Sequence, residues 1–429
     1  MGKLAINGGD KIRTKPFYSS GALIGDEERD RVKNVLDSGI LSGFIAQPNE
    51  KFFGGKQVLE FEGILKDYFK VSHAVTVNSA TAGLHVALGA CGVSPGDEVI
   101  VTPYTMCASA TAIVMLNGVP VFADIDPDTY CLDPESIRRR ITPRTKGIVV
   151  VHLFGDAADM DAIMAIAAEH KLFVVEDCAQ SPGAKYKGQY LGTFGNAGVF
   201  SLNQNKTITC GEGGFVLTKD DRIALRMQLI RNHGEVVTEQ MKVEDISNII
   251  GFNYRMTELE AAVSIGQFKK LDFWNQKRRE LADHLTQELS VFKGLQCPQV
   301  SSDVEHVYFV YPIKLKTKLL GISRELFLKA INAEGIPFGG GYVRPLYMEP
   351  MYQRKIASGG KGYPFVPPVY QGKVDYAKGL CPVCERMHEE ELMLTTVCRY
   401  PNTKDDIDDT VKAFDKIFAH LEELKGGGS

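Results

Sequence analysis

One lysine stands apart in an otherwise neutral run: Phe200-Ser201-Leu202-Asn203-Gln204-Asn205-Lys206-Thr207-Ile208-Thr209-Cys210-Gly211-Glu212-Gly213-Gly214. A lysine amine kept from water loses proton affinity and attacks carbonyl carbons, forming a Schiff base. A surface lysine beside a glycine turn would leave the same local signal, so neighbouring residues have to decide. Asp177 closes the β-branched run Leu172-Phe173-Val174-Val175-Glu176-Asp177, with Gln180 three residues on. A carboxylate there suits the pyridine nitrogen of pyridoxal 5'-phosphate (PLP), which must stay protonated to act as an electron sink. Gln180 is placed to hydrogen-bond the ring oxygen. Asp177 as a plain helix cap is the competing reading. Upstream, Asn78-Ser79-Ala80-Thr81-Ala82-Gly83 joins a strand to a helix. Helix N-termini rich in small and hydroxyl residues expose N–H groups and suit a phosphate, although Ser79 serves equally as a simple N-cap.

These residues need a scaffold. Buried-strand runs recur at Val71–Val77, Glu98–Pro103, Val119–Asp124, Gly147–His152 and Leu172–Asp177, with helical patterns at Ala80–Leu88 and Asp159–His170. Apolar strands alternating with helices predict an α/β fold whose mostly parallel sheet is covered by helices on both faces. In such sheets a ligand sits beyond the carboxyl ends of the strands, so the polar residues right after these runs, Asn78 and Asp177 among them, are the first candidates. After residue 255 the texture changes. A long helical pattern at Thr257–Leu289, a strand at His306–Leu315 and a closing helix at Lys404–Leu424 predict a smaller C-terminal α/β domain. The Gly-, Pro- and Tyr-rich stretch 339–375 reads as a long loop or insertion. The division expected is an N-terminal extension 1–25, a large PLP-binding domain 26–270, a small domain 271–425 and a flexible tail 426–429.

The order of hydroxyl-rich helix start, strand-end Asp, then Ser and Lys matches fold type I PLP enzymes. The sequence resembles the DegT/StrS-type aminotransferases of keto sugars and keto cyclitols from about Gly25 to Leu424. The resemblance rests on Asn78–His85, Gly96-Asp97-Glu98-Val99-Ile100, Pro120–Asp126, His152-Leu153-Phe154-Gly155, Glu176-Asp177-Cys178-Ala179-Gln180, Phe200–Gly214 and Gly251-Phe252-Asn253-Tyr254-Arg255-Met256. It implies that Lys206 is the Schiff-base lysine, Asp177 the pyridine-nitrogen partner and Gln180 the ring-oxygen contact. Ala80, Thr81 and Ser201, beside Ser79, would hold the phosphate. Asn253 would reach the phosphate from a neighbouring subunit, which implies a homodimer with shared active sites. Where many relatives carry an aromatic over the cofactor ring, this chain has Met106, whose polarizable sulfur also suits a ring; Tyr104 is the other candidate, and Met106 as core filler is the plain alternative. Arg231-Asn232-His233-Gly234 looks like a further element near the active-site mouth, without an assignable role.

The resemblance implies transfer of an amino group from glutamate or glutamine to a keto sugar, foremost a nucleotide-linked one, or to a keto cyclitol, in amino-sugar biosynthesis. Asn49–Lys56 and residues 339–375 are candidates for the acceptor pocket or ordinary surface loops. A pyridoxamine-dependent sugar dehydratase is the first alternative, but such enzymes replace the lysine by histidine and Lys206 is retained. A non-catalytic regulator of the same fold would not need the complete Lys, Asp and phosphate set. With 49 basic and 53 acidic side chains, no nucleic-acid or membrane partner is expected. No apolar stretch approaches the roughly 18 residues of a membrane span, and a cytoplasmic protein is expected. Nine cysteines are scattered through the chain. Cys381-Pro382-Val383-Cys384 has metal-ligand spacing, with His388 one turn on, but no second CxxC or His pair completes a zinc set, so no metal is expected.

Overall fold

The computed structural model describes residues 2–19 and 22–426. Seven strands run edge to edge in the order His73–Val77, Gly214–Thr218, Ala197–Ser201, Phe173–Asp177, Thr145–Val151, Glu98–Val101, Val119–Phe122. Gly214–Thr218 is antiparallel to both neighbours, and the other pairs are parallel. Helices cover both faces, so the strands read as continuous apolar runs; Val75, Val99, Ile100, Ile148, Val149, Val174 and Val175 are fully buried. Burying each such side chain contributes about 1.5–3 kcal/mol. The expected α/β architecture is the one observed.

The register brings the functional ends together. Val77 and Ser201 both pair with Gly214, while Asp177 pairs with Val151 and Val199. The segments following Val77, Asp177 and Ser201 therefore leave the sheet along one edge, where the Lys206 turn begins and returns.

A second sheet orders Leu295–Gln296, Tyr311–Leu315, Leu392–Thr395 and Gly339–Gly340. Its own core includes Ile313, Phe327, Phe414 and Ile417, and also Leu4 from the start of the chain. The segment before residue 26 is fastened there: Ala5 N–H donates to Glu334 at 2.8 Å, Lys416 bridges Glu334 at 2.8 Å and the Asp10 carbonyl at 2.7 Å, and Arg13 pairs with Asp406 at 2.7 Å.

Several expected boundaries shift. The pattern Thr257–Leu289 is two helices, Glu258–Phe268 and Leu271–Leu289. The strand read from His306 begins only at Tyr311, because His306 bonds its own backbone, its Nδ1 accepting from Tyr308 N–H at 2.7 Å. The closing helix stops at Ala419, and a further helix, Leu421–Gly426, follows it. The expected tail thus loses Gly426 to a helix, and its residues 427–429 lie outside the described residues.

The 339–375 stretch is mostly irregular yet well packed. Tyr347 and Tyr352, with Tyr376 just beyond the stretch, ring Phe122 with centroids 5.2–5.8 Å away. Tyr370 donates to Glu98 at 2.7 Å and Tyr376 to the Pro120 carbonyl at 2.8 Å. An edge strand with open backbone groups is thereby covered.

Candidate active site

Lys206 sits on an excursion pinned at its base. Leu202 N–H donates to Gly213 O at 2.9 Å, Cys210 N–H to Leu202 O at 3.0 Å, and Lys206 N–H to Asn203 O at 2.9 Å. The side chain is half-buried, with Nζ 4.8 Å from the centre of the Phe309 ring. Burial pulls its pKa down, while the Asp177 charge pulls the other way. A larger fraction of neutral amine follows than a solvated lysine has.

Asp177 is buried at its strand end. One carboxylate oxygen accepts from Ser109 Oγ at 2.7 Å, the other from Ala179 N–H at 3.1 Å. Ser109 Oγ lies 3.2 Å from Thr105 Oγ1, so a hydroxyl relay, Thr105 to Ser109, orients the carboxylate. No helix starts at Asp177, which disposes of the cap reading. Gln180 is gripped at both ends of its amide: Oε1 accepts from Phe154 N–H and Nε2 donates to Tyr342 OH, both at 2.8 Å. One amide N–H remains for a ligand. Burial pushes the Tyr342 hydroxyl up to about 12.

Ser79 is the N-cap of helix Ala80–Ala90, accepting from Ala82 N–H at 3.1 Å. The plain alternative for its side chain is therefore the observed one. Ala80 and Thr81 form the first turn, whose N–H groups have no intrahelical acceptors. Ser201 is buried, and its Oγ accepts from Asn203 N–H at 3.3 Å. Gly214 lets these pieces close up, since a Cβ there would stand 2.8 Å from Ala80 N and 2.7 Å from Phe200 O. The result is a cradle of backbone donors at a helix N-terminus, suited to a phosphate.

Two other expected site residues are less engaged. Asn253 is exposed; its carbonyl accepts from Asn78 Nδ2 at 3.4 Å and its side chain from Arg255 Nε at 2.8 Å. Met106 is 59% exposed, three residues ahead of Ser109, and does not fill the core. Tyr104 is fully buried against Tyr342, with centroids 5.8 Å apart.

Sequence reasoning missed Ser109, Tyr342 and Phe309. Ser109 lies three residues beyond Met106, but nothing local marks its partner 68 residues away. The structure also gives Arg231 and Asn232 a role. Arg231 is fully buried and bonds Glu62 at 2.8 Å and the Phe53 carbonyl at 3.1 Å, while Asn232 reaches the Phe52 carbonyl at 3.0 Å. They tie the 49–56 segment to the sheet. That segment lines a cavity of about 570 Å³ with Ile40, Ile45, Leu59 and Glu258, which does not include Lys206.

Cys381 and Cys384 are both buried, and burial pushes both thiols up. Among the described residues, three ligand-type side chains meet: His152, Glu176 and Cys178. The imidazole and the carboxylate are already engaged. His152 Nδ1 accepts from Ala158 N–H at 3.2 Å, leaving Nε2–H to donate to Glu176 at 3.0 Å. Glu176 also accepts from Gly192, Phe194 and Gly195 N–H at 2.7–2.8 Å. This is a structural clamp behind Asp177.

Comparison with known proteins adds the following. The profile of the DegT/DnrJ/EryC1/StrS aminotransferase family matches residues 24–365. The chain is 36% identical to L-glutamine:2-deoxy-scyllo-inosose aminotransferase of Micromonospora echinospora, over 99% of this chain and 100% of that one. Among solved structures it is similar to the aminotransferase from Psychrobacter cryohalolentis (31% identity, TM-score 0.80, 95% of this chain and 100% of that chain). It is also similar to DesI in the presence of its TDP-sugar product (28% identity, TM-score 0.80, 99% and 98%).

Proposed function

The chain belongs to the DegT/DnrJ/EryC1/StrS aminotransferase family, and on that premise we propose that it is a PLP-dependent enzyme moving an amino group from glutamine to a keto cyclitol. The observation that carries the reading is the convergence at one sheet edge of a lysine of lowered proton affinity, a buried, doubly bonded carboxylate and a glycine-cradled helix N-terminus. Full-length similarity to an enzyme named for glutamine and a scyllo-inosose supports the donor and acceptor.

PLP, when bound, supplies the electron sink that makes a hydrogen beside the amino group acidic. Ala80 and Thr81 N–H, with the Ser201 hydroxyl, would hold the phosphate. Asp177, fixed by Ser109 and Ala179, would keep a proton on the pyridine nitrogen, and Gln180 would offer its remaining N–H to the ring oxygen. Lys206 would anchor the cofactor, and its Nζ would take and return the proton as general base and acid.

The same reading includes a homodimer. Leu36, Ile40, Leu41, Ile45 and Leu59 are 40–60% exposed around the cavity beside Gly54 and Gly55. Such a patch marks an interaction surface, and exposed Asn253 is available to a partner's phosphate site. No helix among the described residues is long and apolar enough to cross a membrane.

A keto-sugar acceptor is the second reading, favoured by the likeness to DesI with its TDP-sugar product. The purified enzyme, given glutamine or glutamate and a panel of keto cyclitols and nucleotide-linked keto sugars, decides by the mass change of the acceptor. Conversion of the cofactor by donor with no acceptor aminated in either class would overturn the substrate assignment.

A further inference from the structure

The segment that carries Asn253 presents that one side chain and holds back its two neighbours. Its backbone is fully used. Phe252 N–H donates to Ile230 O at 2.8 Å and Tyr254 N–H to Arg231 O at 3.0 Å, while the Phe252 and Tyr254 carbonyls accept from His233 N–H at 3.2 Å and Asn78 N–H at 2.9 Å. Asn253 is extended, bridged to Asn232, and in extended backbone alternate side chains share a face. Phe252 and Tyr254 accordingly stack on one side, centroids 4.9 Å apart, and Asn253 stands exposed on the other. Its amide is oriented as well: Oδ1 accepts from Arg255 Nε at 2.8 Å, which leaves the NH₂ as the group offered outward.

The two rings pack on His85. That residue lies in the second turn of helix Ala80–Ala90, the helix whose first turn belongs to the cradle, and it is 3% exposed. Phe252 and Tyr254 meet the imidazole edge-on, with centroids 5.0 and 5.7 Å away. His85 Nδ1 and the Tyr254 hydroxyl, 3.0 Å apart, share a hydrogen bond. Burial pulls the imidazole down to about 4, so at neutral pH it is uncharged and the bond is a neutral one that leaves no charge buried. One helix thus shapes the cradle at its first turn and grips the Asn253 segment at its second.

We propose that His85, through its hydrogen bond to Tyr254, is a positioning residue for the phosphate contact that Asn253 makes in the neighbouring subunit. The proposal rests on the reading of a homodimer with shared sites. An exposed amide on a loose segment loses affinity to the ordering it undergoes on binding. The His85–Tyr254 latch completes that ordering beforehand. Because the latch sits on the cradle's own helix, each subunit's helix sets the geometry of two sites, its own by its N-terminus and its neighbour's by His85.

The test is PLP affinity, read by equilibrium dialysis into the cofactor-free protein, with sedimentation velocity reporting the subunit count. Asn253→Ala should bind PLP about 10–150-fold more weakly, the range of one hydrogen bond to a charged group. Tyr254→Phe keeps the ring stack and removes only the hydroxyl. It should lose about 2–12-fold, the range of one neutral hydrogen bond, and should add nothing in the Asn253→Ala background, because both changes act on one contact. His85→Leu should match Tyr254→Phe, and His85→Asn, whose amide stands where Nδ1 stood, should recover part of that loss. A hybrid dimer of one Tyr254→Phe subunit and one Lys206→Ala subunit locates the effect. Its only lysine able to bond PLP faces an intact neighbour, so the visible band of lysine-bound PLP should titrate with native affinity. Tyr254→Phe at native affinity, an additive loss in the double variant, or a hybrid that titrates like the Tyr254→Phe homodimer would overturn the latch and leave Asn253 in its place. A monomeric native protein, or Asn253→Ala at native affinity, would instead refute the shared site, and the latch with it.

Discussion

Glu176→Gln should be far more damaging than its isosteric shape implies. The native carboxylate, fully buried, accepts four hydrogen bonds: Phe194 and Gly195 N–H on one oxygen, Gly192 N–H and His152 Nε2–H on the other. Glutamine replaces one oxygen by NH₂, which then faces two donors whichever way it turns. His152 cannot adapt by changing tautomer, because its Nδ1 already accepts from Ala158 N–H at 3.2 Å. Two bonds to a charged acceptor are lost, at about 1.5–3 kcal/mol each, or roughly 3–6 kcal/mol. With an unfolding entropy of about 2.1 cal/mol/K per residue, a 429-residue chain loses roughly 1 °C per kcal/mol. Differential scanning calorimetry of the cofactor-free protein should therefore show a Tm about 3–7 °C lower. Glu176→Ala, which leaves all four donors bare and opens a void, should fall further still. A Glu176→Gln Tm within 1 °C of the parent would refute the clamp as a source of stability.

Lys206→Ala should fold normally, lose the visible band of lysine-bound PLP and lose turnover well beyond the roughly 10²–10⁴-fold of a general acid–base alone; absorbance with added PLP and steady-state rates check both. Ser109→Ala, which frees the 2.7 Å bond to Asp177, should weaken PLP binding by about 10-fold or more, read by equilibrium dialysis. Gly214→Ala drives a Cβ to within 2.7–2.9 Å of Phe200 O and the Ser79–Ala80 backbone and should cost about 1–3 kcal/mol together with PLP affinity, read by thermal melt and dialysis. Because the folded pKa of Lys206 is lowered from 10.5, the unfolded chain binds more protons between that lowered value and 10.5. Native stability should thus rise with pH across that window relative to Lys206→Met, measured by urea titration of the cofactor-free proteins.

What was readable in the sequence was whatever is local. The strand runs before Asn78 and Asp177 are legible in their apolar residues, and the rule that ligands gather at strand ends then puts those residues together; the strand that ends at Ser201 is seen only in the fold. The Lys206 segment left two readings open by itself, and the order of Asn78–Gly83, Asp177 and Ser201 decided between them. Residues whose meaning depends on a distant partner stayed silent. Ser109 needs Asp177, and Gln180 needs Tyr342 from a Gly- and Pro-rich stretch. Arg231-Asn232 was visible as a motif, but its function is to hold backbone carbonyls 178–180 residues away. Boundaries failed where a helical pattern continued across a break, as at Lys269-Lys270, or where a side chain captured its own backbone, as at His306.

The fastening of the chain's first residues to the second core has a consequence in time. Ala5 and Glu334 are 329 residues apart, and Asp10 and Lys416 are 406 apart. At ribosomal rates of about 5–20 residues per second, the opening segment waits roughly 20–80 s for its partners to be made. Throughout that interval Leu4, fully buried in the finished fold, lacks its native partners. The large sheet's strands all lie between residues 73 and 218 and are complete long before. Synthesis therefore passes through a stage in which the cofactor cradle has all its strands while Lys416 has yet to be translated.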